Sequence, residues 1–179
     1  MREEVVMAPD IKMTVAGITL DSTNNMPIII LKSEDDDVAI PIWIGLIEAS
    51  AIATELEGIK LGRPMTHDLL KNILEGMGGT LKRIVVNDLK ENTFYASLFV
   101  ELNQSEVEID SRPSDAIALA LRCGAEIYVS QKVVDTSQHI DMSTLKSALE
   151  SDGEGGKNKD KWTELLENLK PEDFGKYKM

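Results

Sequence analysis

Apolar positions between residues 13 and 44 come in three short bursts, MTVAGITLD (13–21), PIIILK (27–32) and VAIPIWI (38–44), separated by the polar turns STNN and SEDDD. Alternation in the first burst and compact apolar blocks in the other two predict three β-strands. The period then changes. GLIEASAIATELEG (45–58) is rich in alanine and lacks strand alternation, so it predicts a helix, with Gly58 suited to its C-terminal end. RPMTHDLLKNILEGMGG (63–79) predicts a second helix: Thr66 is a suitable N-cap, Leu69, Leu70, Ile73 and Leu74 form an apolar stripe, and Gly78 or Gly79 closes it.

The same order of patterns then recurs. TLKRIVVNDL (80–89), TFYASLFVEL (93–102) and SEVEID (105–110) predict three more strands, followed by the helix PSDAIALALRCG and a last strand IYVSQKVV (127–134). Sliding the chain on itself by 67 residues places Asp21 on Asp88, Leu31 on Leu98 and Ile42 on Ile109, and Ala49, Ala51 and Ala53 on Ala116, Ala118 and Ala120. Glu48 falls on Asp115. The coincidence of identities with element order points to an internal β-β-β-α duplication and an α+β fold with mixed or antiparallel sheets. In such a body two equivalent helices meet, and their small residues let the backbones approach. The second helix is apolar on nearly every side, so it should be buried between layers or in a subunit contact. Pro41 cannot donate a ladder hydrogen bond and favours an edge or a bulge in the third strand, an edge that could serve a neighbouring subunit.

Beyond about residue 135 the character changes. SDGEGGKNKD (151–160) reads as a polar linker, and Trp162, Leu165, Leu166 and Leu169 then mark a short amphipathic helix expected to dock on the body or on a neighbouring copy. The expected organisation is an α+β domain over 1–140, then a linker and helical tail over 141–179, assembled as a homodimer or higher homo-oligomer.

Charge narrows the partners. The net charge is -12, and residues 1–135 alone hold 22 acids against 12 Lys and Arg (12 − 22 = -10). Nucleic acid would therefore be met through a local basic spot or bound cations, not through an overall basic face. No apolar stretch reaches the length of a membrane span and the N-terminus has no signal-peptide core, so a cytoplasmic location without membrane contact is expected. The single cysteine, Cys123, lies in an apolar run and reads as an inert buried thiol. Asp35, Asp36 and Asp37 read as a solvated turn, and Trp43, Phe94, Tyr95 and Phe99 as core or interface aromatics.

No P-loop, dinucleotide fingerprint, GxSxG elbow, HExxH or paired-cysteine zinc motif is present. What remains are polar residues at element ends: Glu48, Arg63, His67, Asp68, Asp110, Arg112, Ser114 and Asp115. RPMTHD (63–68) and RPSD (112–115) each place an arginine shortly before a helix whose first turn holds an aspartate. Such residues cap helices, and capping alone accounts for them. They also suit a phosphodiester site. Arg63 and Arg112, with Ser114, would hold phosphate beside helix N–H groups. His67 and Asp68 would form an acid/base pair, while Glu48 and Asp115, brought together by the duplication, would hold magnesium or manganese.

These residues also carry a family resemblance. IPIWIGLIEASAI (40–52), GRPMTHDLL (62–70), FYASL (94–98) and, most specifically, IDSRPSDAIALALR (109–122) resemble the bifunctional nuclease family over about residues 10–135. The resemblance implies a compact α+β body that oligomerises and hydrolysis of DNA, RNA or both. It assigns no catalytic roles to Arg63, His67, Asp68, Arg112 or Asp115, which are carried over as motif positions only. The competing expectation is a non-catalytic oligomeric module that binds a small anion or a protein partner.

Overall fold

The computed structural model describes residues 9–21, 23–34, 38–137 and the backbone of 140–141. The chain forms β1 (Ile11–Leu20), β2 (Pro27–Ser33), β3 (Val38–Trp43), α1 (Leu46–Leu56), α2 (Thr66–Gly76), β4 (Thr80–Lys90), β5 (Thr93–Leu102), β6 (Ser105–Ser111), α3 (Pro113–Cys123), β7 (Glu126–Val129), α4 (Gln131–Thr136) and the two-residue β8 (Ile140–Asp141). The architecture is α+β, and the predicted repeat is visible as two three-strand runs, each followed by a helix. The expected linker and tail helix, and His139, lie outside the described residues.

All strands join one mixed sheet in the order β6-β5-β4-β7-β1-β2-β3-β8. The two three-strand meanders therefore spread outward from a central β7, which runs antiparallel to β1 and parallel to β4. β8 pairs with Val38 and Ala39, so among the described residues the outer side of β3 is unpaired where Pro41 stands, as suits a residue without an N–H. Helix α3 packs against β4, β5 and β7 on one side and against α1 and α2 on the other. Ala116, Ile117, Ala118, Leu119 and Ala120 are all buried, which explains why that helix reads as apolar around its whole circumference. Ala49 and Ala53 of α1 are buried as well. Among the described residues no helix is long and apolar enough to cross a membrane.

Three details differ from the sequence expectation. Residues 131–134 are helical instead of continuing the last strand. Ser130 takes the N-cap of α4 and accepts the Val133 N–H, while Val133 and Val134 are buried as helical residues. The N-cap of α2 is Met65, with Thr66 already inside the helix. The capping acceptor is the Asp68 carboxylate, which receives the Met65 backbone N–H at 2.8 Å. The aromatic residues split: Phe94 packs against the core, whereas Trp43 and Tyr95 stand exposed on the sheet.

The stripe on α2 is equally outward. Met65, Leu69, Leu70, Ile73 and Met77 are exposed, and Leu74 alone of the predicted stripe packs on the core.

Candidate functional site

Helices α1, α2 and α3 place an acidic residue at the same point of their first turns: Glu48, Asp68 and Asp115 each lie three positions after the N-cap. There a carboxylate complements the partial positive charge of the helix start. The packing of α3 between α1 and α2 brings these three starts together, and two arginines of α3 connect them.

Arg112, the N-cap of α3, is the first connector. Its Nε donates to Asp115 Oδ2 at 2.7 Å and its Nη1 to Glu48 Oε1 at 2.8 Å. The fork thereby joins the two carboxylates that the duplication makes equivalent. These neighbours, led by the hydrogen bond to Asp115, raise the guanidinium's pKa above its ordinary value. Its side chain remains 66% exposed, and Nη2 makes no hydrogen bond among the described residues. The guanidinium is thus held in orientation while keeping donors for an outside oxygen. Gly45 is the corresponding N-cap of α1. A Cβ there would meet the flexible end of the Glu48 side chain, so a residue other than glycine would make the carboxylate shift from its present place beside Arg112.

His67, in the first turn of α2, faces the other oxygen of Asp115. His67 Nε2 and Asp115 Oδ1 are 3.2 Å apart, and the histidine side chain is only 14% exposed. A carboxylate accepts and does not donate, so Nε2 carries the proton in this contact and Nδ1 is the basic nitrogen. His67 is therefore partnered by Asp115, 48 residues away in sequence, and not by the adjacent Asp68.

Asp68 belongs to the second connector, Arg122. That guanidinium is 4% exposed, and its Nε donates to Asp68 Oδ1 at 2.6 Å. Nη1 donates to the Ala118 carbonyl at 2.9 Å and Nη2 to the Ala51 carbonyl at 3.0 Å. The Arg122 carbonyl in turn accepts from Lys71 Nζ at 2.7 Å. One side chain thus ties α1, α2 and α3 together. Asp68, accepting from the Met65 N–H and from Arg122, is held below the usual carboxylate range. A lone cation after the apolar run Ala116–Leu121 is the sequence signal that identifies Arg122, because a buried charge must find partners.

Glu48, His67, Arg112 and Asp115 line one open cavity of about 270 Å3, with Arg122 at its floor and Ile47 on its wall. Ser114 is buried and lines a neighbouring cavity of about 270 Å3 on the far side of the Glu48–Arg112 pair, together with Trp43, Phe94 and Pro113. Arg63 is exposed and lines a third cavity of about 390 Å3, which adjoins the first at Thr54, Leu61 and Arg122. Asp110, on β6, is exposed and borders none of the three. Cys123 is half-buried, and burial pushes its thiol pKa up, as fits an unreactive side chain.

Among the described residues no group of three or more His, Cys, Asp or Glu side chains is arranged to hold a metal. Glu48 and Asp115 would supply two carboxylates, as many as a largely hydrated magnesium ion needs from a protein. Arg112 spans them, so a divalent ion placed there would compete with the guanidinium for the same oxygens.

The model of the bifunctional nuclease domain matches residues 29–141. An uncharacterized protein of Mycobacterium tuberculosis strain H37Rv is 36% identical over 168 residues, covering 91% of this chain and 97% of that protein. Bifunctional nuclease 1 of Arabidopsis thaliana is 30% identical over 109 residues, 59% of this chain and 34% of that protein. Bifunctional nuclease 2 of the same plant is 28% identical over 132 residues, 70% of this chain and 40% of that protein.

Proposed function

The chain belongs to the bifunctional nuclease family, and from that membership we propose that it hydrolyses phosphodiester bonds of DNA, RNA or both at the cavity between the starts of α1, α2 and α3. One observation carries the reading: His67, Arg112, Asp115 and Glu48, drawn from three helices, meet around one open cavity. The parts suit in-line displacement at phosphorus. Arg112, oriented by two carboxylates, offers its uncommitted N–H groups to a phosphate oxygen. His67 takes a proton from the attacking water at Nδ1 as the water oxygen bonds to phosphorus, while Asp115 holds the imidazole and stabilises the charge it acquires. The bond from phosphorus to the departing sugar oxygen breaks, and that oxygen takes a proton from solvent water. Asp68 acts through geometry, because its carboxylate fastens the first turn of α2 on which His67 stands.

Magnesium or manganese at Glu48 and Asp115 is part of this proposal. When bound, it would supply a water of lowered pKa and screen the phosphate charge. The alternative, a non-catalytic module that binds a small anion or a protein partner, draws on the same Arg112 donors and on the acidic surface. The exposed stripe of α2 supports a further element: copies of the chain associate through it.

The test is cleavage of labelled single-stranded DNA and RNA by protein free of host nucleases, with magnesium, manganese or chelator. Cleavage is expected, with a loss on the order of 10²–10⁴ in His67→Gln and in Asp115→Asn. Unchanged cleavage in both variants would overturn the site, and a chelator-insensitive rate would remove the metal. No cleavage under any metal would leave the anion-binding module.

A further inference from the structure

Three cavities lie side by side along the helix starts, and their shared walls fix their order. The cavity of Trp43 and Phe94 shares Glu48 and Arg112 with the His67–Asp115 cavity, which in turn shares Thr54, Leu61 and Arg122 with the cavity of Lys60 and Arg63. The two outer cavities differ in chemistry. At one end Trp43 is 44% exposed, its indole fixed by an Nε1–H bond to Asp21 Oδ2 at 3.0 Å. That carboxylate, held at a pKa of about 2 by the Thr23 hydroxyl and by this bond, stays ionised and keeps the ring in place. At the other end the lining holds Lys60, Arg63, Lys71 and Arg122 against Glu55 and Asp68, a cationic surplus in a chain of net charge -12. Lys71 and Arg122 are committed within the protein, whereas Lys60 and Arg63 make no ion pair among the described residues.

Resting on the nuclease reading, we infer that these cavities form one track for a single strand of nucleic acid. A base stacks on Trp43, the scissile phosphate lies at Arg112 and His67, and the next phosphate on the far side is held by Lys60 and Arg63. An exposed, fixed indole suits an unpaired base, because stacking needs a free π-face. Uncommitted cations confined to one end suit a phosphate in an otherwise repelling acidic field. Neither feature suits a duplex, whose bases are stacked on one another and whose backbones would meet the acidic surface. Arg63 thus binds substrate one step away from the reacting phosphate.

The experiment is binding of an eight-nucleotide mixed-sequence strand, and of its duplex, to the full chain carrying His67→Gln to prevent turnover and Trp162→Phe so that Trp43 is the sole tryptophan, excited selectively at the red edge of its absorption. The single strand is expected to quench Trp43 and the duplex to quench it far less. Lys60→Glu/Arg63→Glu should weaken binding tenfold or more and flatten the salt dependence by roughly one unit of log–log slope. Trp43→Ala, read by anisotropy of a labelled strand, should weaken it on the order of tenfold. Unquenched Trp43 with the strand bound, equal binding of duplex, or unaltered affinity in the Lys60/Arg63 variant would each overturn the track. The two readings fail separately. Cleavage by the unmodified chain without Trp43 quenching would sink the track alone, whereas quenching and charge dependence without cleavage would sink the nuclease alone.

Discussion

Gly45 and Arg112 stand at the same point of two repeated helices and do opposite things. Arg112 projects a guanidinium across the gap; Gly45 withholds a side chain so that the Glu48 carboxylate can receive it. Gly45→Ala is therefore expected to push Glu48 off its rotamer and break the pair with Arg112, although alanine is the better helix former in general. The proposed phosphodiesterase activity should fall by roughly tenfold while thermal stability changes little, since the Arg112 side of the lost pair is largely exposed. Intact activity in Gly45→Ala would show that Glu48 need not be held by Arg112. The Arg112–Asp115 pairing can be read from sequence because the two are three residues apart on one helix start. His67–Asp115 cannot, because its 48-residue separation is closed only by the packing of α2 on α3.

Among the elements, the hairpins were legible and the last turn was not. Period-two alternation and compact apolar blocks separated by polar turns locate β1 through β6 to within a residue or two; β1 to β5 each have buried positions to match, whereas β6 is exposed along nearly its whole length. Residues 131–134 misled because Val133 and Val134 suit a strand by propensity, while the signal for helix was a single capping serine, Ser130. The three site helices depend on Arg122. Replacing it by methionine keeps the apolar stem but removes the guanidinium donors from the Ala51 and Ala118 carbonyls and from Asp68, which is left with the Met65 N–H. Arg122→Met is expected to cost about 2 kcal/mol in a denaturant melt, for lost hydrogen bonds from a buried charged donor, with Asp68 left partly exposed to water. A change below about 1 kcal/mol would mean that apolar packing alone holds α2 in place.

At the scale of the whole molecule, the exposed stripe of α2 departs from a monomer's ordinary surface. Met65, Leu69, Leu70, Ile73 and Met77 fall within one arc of the helix and are covered by no apolar layer among the described residues. A self-complementary patch of this kind suits a twofold contact between copies. Sedimentation velocity at micromolar concentration is expected to show a dimer or larger species, and Ile73→Glu should return it to monomer. A monomeric parent chain would end this assignment.

The position of β7 has a consequence for how the molecule is made. β7 is the seam between the two meanders, yet it follows both in sequence, and it must pair with Met13 near the beginning and with Val86 in the middle. During synthesis neither meander can be joined to the other until residue 129 has left the ribosome. Until then β1 and β4 each present an open edge to whatever chain is nearby. Closure of the sheet is therefore a late, long-range event. Nascent chains stalled before Glu126 should be the form of this protein most prone to aggregate.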